Sequence, residues 1–471
     1  MQGNDFRIFD QGLRKDHMHG AVSFYSPWLL LFLCVSLLGV VSLLLPDEIG
    51  QGFSRVTMFF VFLGSLLITA PFYFVFTRFL AEKQKTLTPA GVSGIFVSLM
   101  VVVFALAVVC SAVMLVFSSS LLVFNLSVII LFFILSCNWL LLLFLNSVPR
   151  FHLISAGYFI GMICTLLLGL AGRAVGGILG FVNFINLGAA SLFFILWFMV
   201  AEKVKISYAP GTDVYSFMKR EPFYPVLGVV IALGFLADKI IFWSSGFGKI
   251  YRNVFFSFAP YETTVAIAFL TAIPPIIYFV LSPEKKIFQK SRKLYQSLSL
   301  GAEYGTIRAD KKDLVEYMAK AFFNILKIQL AVVFSLNYLA TQMFSLFKLP
   351  LENVILFRTA LWGVACFVIV SFIITFLLYW DFRKYAMFLA VLFLGSNILF
   401  NVLVLQLHPK YLTYGFSFAC LVTLAAALGI IAYILKNLVY LLFRTPPITQ
   451  KVRVIRGIKN GTYLIKDGKR I

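Results

Sequence analysis

The chain has 471 residues, of which 61% are hydrophobic and only 13% charged, and its mean hydropathy is +0.95. Those values exclude a soluble globular protein. A net charge of +21 would point to nucleic acid in a soluble chain, but here the placement of the basic residues gives a better account. Windows of about 20 residues predict twelve apolar spans. The first six are Pro27–Pro46, Val56–Thr77, Ile95–Phe117, Leu121–Leu145, Leu153–Ala171 and Ala174–Val200. The second six are Tyr224–Phe247, Tyr261–Leu281, Ala321–Leu346, Val354–Trp380, Tyr385–Leu407 and Tyr414–Leu435. These runs are uninterrupted, whereas a membrane barrel needs alternating strands of about 10 residues. The predicted fold is therefore all-α, a polytopic membrane protein with about twelve transmembrane helices. Polar residues precede Pro27 and the run after it is long enough to span, so no cleavable signal peptide is expected.

Charge placement sets the predicted topology. With the N-terminus cytoplasmic, alternate loops and both tails collect 31 of the 40 Lys and Arg. The opposite side holds Arg55, Arg173, Lys249, Arg252, Lys348, Arg358 and Lys410, while Lys239 and Lys327 fall inside spans. That asymmetry satisfies the positive-inside rule with both termini in the cytoplasm. The basic excess thus serves topology and contact with anionic membrane lipid, and no nucleic-acid partner is expected.

The layout is a cytoplasmic segment (1–26), a six-helix lobe (27–201), a basic linker (202–223), a second six-helix lobe (224–443) and a basic tail (444–471). Two lobes of similar length fit the internal repeats of secondary transporters, although the halves show no sequence self-similarity. The basic stretch from Ser282 to Lys320 reads as helical. It is either a solvated connector beside the lipid surface or a docking site for a cytoplasmic partner. In the tail, Asn460-Gly461 between β-prone arms signals a small hairpin.

Catalytic chemistry is largely absent from the sequence. His17, His19, His152 and His408 are scattered, with no Cys or carboxylate set beside them that resembles a metal site. No phosphate loop or nucleophile elbow appears. All six cysteines fall within different spans and read as small packing residues. Neither an enzyme, a metal nor a cofactor is expected.

Polar residues within spans remain. Asn397 and Asn401 share a helix face, as do Asn337 and Thr341, and Asn183 lies one turn from Asn186. Such amides act either as hydrogen-bond glue between membrane helices or as substrate contacts. Pro71 and the pair Pro274-Pro275 break helical hydrogen bonds; kinks of this kind suit gating helices and are also routine in membrane helices.

Most informative are Asp238 and Lys239, adjacent charges inside the seventh span. Each costs about 2.5–3.5 kcal/mol on insertion scales. They mark either a polar pathway or a special packing site. Adjacent helical residues point about 100° apart, so the two are expected to pair poorly with one another and to need separate partners. Asp238 lies about 21 Å along its span from Tyr224, in the outer half. Glu262 and Arg358 begin their spans on the outer side, which places all four charges at similar depth. The blander reading of Lys239, and of Lys327, is snorkelling to the nearest interface.

The segment Gly234-Phe235-Leu236-Ala237-Asp238-Lys239-Ile240-Ile241-Phe242-Trp243 resembles the Ala-Asp-Lys…Phe-Trp segment of Pel-type exopolysaccharide transporters (PelG). Those are distant relatives of the multidrug, oligosaccharidyl-lipid and polysaccharide flippases. Tyr261-Glu262 and Ala266 to Pro274 are similar to the family's next helix, which usually has Asp where Glu262 stands. Gln329 and Tyr379-Trp380-Asp381-Phe382-Arg383 fit as well. At the N-terminus, Ser26-Pro27-Trp28-Leu29 lacks the glycine of the family's Ser-Gly-Pro-Trp, and an upstream Phe-Glu-Leu-Arg pattern survives only loosely around Gly12 to Lys15.

The resemblance implies two six-helix lobes arranged in a V around a central cavity in the bacterial cytoplasmic membrane. It implies outward movement of an amino-sugar-rich polysaccharide for biofilm matrix. The implied partners are a cytoplasmic glycosyltransferase and membrane subunits that sense cyclic di-GMP. A lipid-linked oligosaccharide flippase and a cation-coupled drug exporter are the alternative functions on the same fold. A channel-like state and alternating access both stay open for the polymer.

Overall fold

The computed structural model describes residues 51–83, 89–145, 151–203, 213–281, 283–347, 349–444, 465–466 and 469–470. The first predicted span, residues 204–212 of the linker and the Asn460-Gly461 turn lie outside them. Ten helices among the described residues are long and apolar enough to cross a membrane.

The first half opens with α1 (Gln51–Lys83), which continues through Pro71, followed by α2 (Pro89–Phe117) and α3 (Leu122–Leu145). Next comes α4 (Phe151–Lys203), whose two arms meet at Gly176 and Gly177. Gly177 sits at φ 59°, in the left-handed region that reverses the chain at low cost only for glycine. The arms then pack tightly against each other. A Cβ on Gly172 would lie 2.5 Å from the Gly180 carbonyl oxygen, and one on Gly188 would lie 2.4 Å from the Thr165 Cα. Small residues at these positions let the two backbones approach, as in membrane helix pairs generally. The two predicted spans here are thus the arms of one helical hairpin.

After the short amphipathic α5 (Asp213–Arg220) comes α6 (Phe223–Ser244), the helix of the charged pair. Strands β1 (Lys249–Tyr251) and β2 (Phe255–Ser257) form an antiparallel hairpin with Tyr251 opposite Phe255. The eighth span is α7 (Ala259–Phe269), a 3₁₀ turn (Leu270–Ala272) and α8 (Ile273–Leu281). Pro274 and Pro275 have no N–H to give the carbonyls of Leu270 and Thr271, so the helix tightens at that point.

Beyond the membrane, α9 (Pro283–Ser299) folds back along the start of α10 (Tyr304–Leu346). At 1.5 Å per residue α10 is roughly twice as long as the hydrocarbon core is thick, so its first half stands outside as one arm of a stalk. Lys290 pairs with Asp313, and the exposed Lys293 pairs with the buried Asp310 at 2.7 Å. The hydrogen bond and charge of Asp310 hold the Lys293 ammonium above its ordinary pKa. Lys311 Nζ donates to the Lys436 carbonyl at 2.7 Å.

The chain closes with α11 (Val354–Tyr379), α12 (Arg383–Val404), α13 (Thr413–Lys436) and α14 (Leu438–Arg444). In the tail, β3 (Ile465–Lys466) pairs with β4 (Lys469–Arg470).

Helix α13 packs between α11 and α12, while α7 and α10 lie against α11. Helix α6 is the seam, with α12 on one side and α1 of the first half on the other. Along that seam α1 and α6 run antiparallel. Phe60 faces Trp243 at 6.1 Å, and the Arg78 guanidinium lies 5.9 Å from the Tyr224 ring centre. Between those ends a Cβ on Gly228 would lie 2.2 Å from the Ala70 carbonyl oxygen. The two halves thus touch backbone to backbone next to Pro71.

Candidate functional site

Asp238 and Lys239 are both buried, at 1% and 7% exposure. They pair with each other, contrary to the expectation that they would need separate partners. Lys239 Nζ donates to both Asp238 carboxylate oxygens at 3.0 Å and to the Phe235 carbonyl at 2.9 Å. The 100° offset separates the Cβ directions only. A four-carbon stem folding back one turn brings the ammonium over the neighbouring carboxylate. That fold also turns the ammonium away from the nearer, C-terminal end of α6, the reverse of snorkelling. The remaining Asp238 capacity is used by Tyr261, whose hydroxyl donates to Oδ2 at 2.6 Å from a fully buried position. Two charges, a phenol and a backbone carbonyl form one satisfied buried cluster joining α6 to α7, which is the condition under which a buried ion pair is tolerable.

Glu262, one residue beyond Tyr261, has a different task. Its carboxylate accepts from Trp243 Nε1 at 2.5 Å, from Ser257 Oγ at 2.7 Å and from the Phe258 N–H at 2.9 Å. It lies in the first turn of α7, where a negative charge suits the helix dipole. The three donors come from the end of α6, from β2 and from the residue that caps α7. One carboxylate therefore clamps the foot of the β-hairpin to the second half of the chain.

The hairpin reaches across to the first half. Its tip, Arg252 and Asn253, has φ of 51° and 64°, as tight hairpin turns of this twist require. The Arg252 carbonyl accepts the Ser119 N–H at 3.2 Å, from the connection between α2 and α3. Phe255 is completely buried among Val56, Val61 and Phe124 of the first half, edge-on to Phe60 at 5.5 Å. A strap built on one half is thus seated in the core of the other at the Trp243 end of the seam. Sequence reasoning missed it, since each strand is three residues long. The available signal was the aromatic run Phe255-Phe256-Ser257-Phe258 after Arg-Asn.

Other expected residues stand apart from this constellation. Arg358 donates to Thr341 at 3.3 Å, tying α11 to α10, and makes no ion pair with Asp238 or Glu262 among the described residues. Asn337 lies one turn before Thr341 on that same α10 face, half-buried. Asn397 donates to the Gly234 carbonyl at 2.9 Å, and Asn401 donates to the backbone and side-chain oxygens of Asn397 at 2.7 Å. Both asparagines are fully buried, so this pair glues α12 to α6 one turn from Asp238. In the first half Asn186 donates to the Ser127 carbonyl at 2.9 Å. No cluster of His, Cys, Asp and Glu able to hold a metal occurs among the described residues.

The family model PelG, described as "Putative exopolysaccharide Exporter (EPS-E)", matches residues 13–443. No curated protein matches the sequence. Among solved structures the chain is similar to the lipid II flippase MurJ in an inward closed conformation, at 14% identity and TM-score 0.60, covering 91% of this chain and 93% of that one. It is also similar to a multidrug resistance MATE family transporter of the MOP superfamily. The inward-facing conformation of that transporter gives 13% identity and TM-score 0.59 over 91% of this chain and 99% of the other. Its outward-facing conformation gives 12% and 0.58 over 91% and 97%. At these identities the likeness is one of fold.

Proposed function

The chain belongs to the PelG exopolysaccharide exporter family, and we propose that it carries an amino-sugar-rich, Pel-like polysaccharide outward across the bacterial cytoplasmic membrane for biofilm matrix. In this reading both termini and the stalk of α9 and α10 lie in the cytoplasm, and the β-hairpin faces outward. The placement of Lys and Arg supports that orientation. The stalk, which carries exposed Lys286, Arg292, Arg308 and Lys312, offers the synthesising glycosyltransferase its contact. Membrane subunits sensing cyclic di-GMP complete the assembly.

The observation that carries the mechanism is the seating of Phe255. A hydrophilic polymer leaving between two lobes needs a lipid-free path, and the hairpin lies across the outer end of the seam. Export then requires the strap to leave its pocket while Glu262 keeps it attached to the second half. The cluster of Asp238, Lys239 and Tyr261 makes α6 and α7 move as one body, so that lifting α6 lifts the strap.

Secretion of matrix polysaccharide in cells lacking this chain, with and without the wild-type copy, tests the reading. Restored secretion supports it. Accumulation of a lipid-linked oligosaccharide with normal matrix polymer would replace it with a flippase function.

A further inference from the structure

At the basic end of the same seam, the turn between α11 and α12 carries an unusual residue. Helix α11 ends with two bonds that wrap its last turn: the Phe382 N–H reaches the Leu377 carbonyl at 2.8 Å, and the Asp381 N–H reaches that of Leu378 at 3.2 Å. In this termination the residue after the cap takes a left-handed conformation and is usually glycine. Here it is Asp381, at φ 61°. A side chain kept where glycine is cheaper points to work done by that side chain.

The Asp381 carboxylate is shared between halves of the molecule. Arg383 Nε donates to Oδ1 at 2.8 Å from within the second half. Arg78, near the end of α1 in the first half, brings Nη2 to 3.1 Å from the same oxygen. That second approach is a close charge contact without an aligned hydrogen bond. Arg383 also pairs with Glu221, from the linker between the halves. Both guanidinium groups lie close to the Tyr224 ring, Arg78 at 5.9 Å and Arg383 at 5.0 Å from its centre, and the Tyr224 hydroxyl is 3.4 Å from Asp381. Tyr224 also stacks with Phe217 of α5 at 6.2 Å, and Phe217 meets Phe79 edge-on at 5.4 Å.

The two arginine arms differ in kind. Aligned hydrogen bonds and a second carboxylate hold Arg383, whereas among the described residues Arg78 has one charge contact with Asp381 and the face of the Tyr224 ring. The contact between halves is the weaker bond and parts first when they separate. Further along α6, the Gly228 backbone meets Ala70 and Pro71, a close crossing of α1 and α6.

We propose that Asp381 is the release point of an inner gate, closed by its bond to Arg78 and opened when that bond parts while Arg383 retains the carboxylate. Polymer enters from this end, a step that rests on the exporter reading above; the gate itself does not depend on which solute passes.

The test places a single cysteine at fully buried Leu227, just inside the gate, in a cysteine-free chain, and measures maleimide labelling of the purified protein in nanodiscs. Asp381→Asn, Asp381→Gly and Arg78→Gln are each expected to speed labelling about fivefold or more, the scale of a typical coupling between states. The double variant of Arg78→Gln with Asp381→Asn should be no faster than either alone, because both remove one contact. Arg78→Lys, which keeps the charge, should stay near the wild-type rate. Asp381→Gly separates gate from helix terminus, since glycine fits the backbone. Unchanged labelling with a raised melting temperature would show a mere terminus and overturn the proposal, as would fully additive rates in the double variant. Secretion is scored separately in cells. Faster labelling in a chain that secretes no polymer would leave the gate standing and remove the exporter reading instead.

Discussion

The indole N–H of Trp243 ends on the carboxylate of Glu262 at 2.5 Å, and through that bond the last turn of α6 holds the first turn of α7. The same carboxylate takes Ser257 and Phe258, so losing its charge weakens three contacts at once. Glu262→Gln is expected to lower stability by about 1–3 kcal/mol, the cost of leaving buried donors poorly satisfied. Trp243→Phe, which removes one donor, should cost less. Thermal unfolding of the purified variants, with limited proteolysis between Arg252 and Val254, measures both. An unchanged melting temperature for Glu262→Gln would show that the clamp carries no load.

Asp238→Asn strands a buried ammonium on Lys239. Breaking one partner of a buried pair costs about 3–5 kcal/mol, whereas replacing both partners is often close to neutral. Protein abundance should therefore fall in Asp238→Asn and recover when Lys239→Met is added. If the double variant is stable and also exports, the pair is a packing device. Loss of export at restored abundance assigns the charges to transport itself. Equal instability of single and double variants would contradict the pairing.

Gly228→Ala tests the crossing of α1 and α6. Its Cβ would meet the Ala70 backbone at 2.2 Å, and backbone cannot give way as a flexible side chain does. Overpacking of this sort costs about 1–3 kcal/mol. Gly429→Ala, where no atom lies within 4 Å of the new Cβ, is the control and should be neutral or slightly stabilising in its helix. Comparable melting temperatures for the two would mean that the halves are not in contact at this point.

On the stalk, Lys293→Gln removes the ammonium from buried Asp310 and should loosen α9 from α10, seen as faster hydrogen exchange across both helices. Arg292→Gln with Lys312→Gln touches exposed side chains only, and among the described residues Lys312 has a 3.7 Å surface pair with Glu316, worth about 0–1 kcal/mol. That double variant should leave the stalk intact while lowering co-purification of the glycosyltransferase proposed as its partner. Undiminished co-purification would make the stalk a connector.

Hydropathy made the membrane spans legible because span length is set by bilayer thickness. The fifth and sixth spans separate in the sequence near Arg173, whereas the chain reverses at Gly176 and Gly177. The discrepancy arises because glycine and valine read as apolar while glycine makes the turn. Asp238 and Lys239 stood out by their cost, but their pairing did not, since helical geometry fixes Cβ directions and says nothing of where a long stem folds. Glu262 was singled out for its depth, yet its partners come from a hairpin too short to show a period. Asp381 lay within a motif legible in the sequence. Its left-handed backbone and its contact with Arg78, some 300 residues earlier, exist only in the folded chain.

The most direct test of the strap is a disulfide across it. Ser119 and Arg252 are joined backbone to backbone at 3.2 Å, a separation that suits the Cα spacing of about 4.4–6.8 Å in disulfides. Ser119→Cys with Arg252→Cys in a cysteine-free chain should crosslink in the membrane under oxidant, and matrix polysaccharide secretion should stop. Reduction should restore it. Undiminished secretion from fully crosslinked protein would contradict the claim that the hairpin leaves its seat for the polymer to pass.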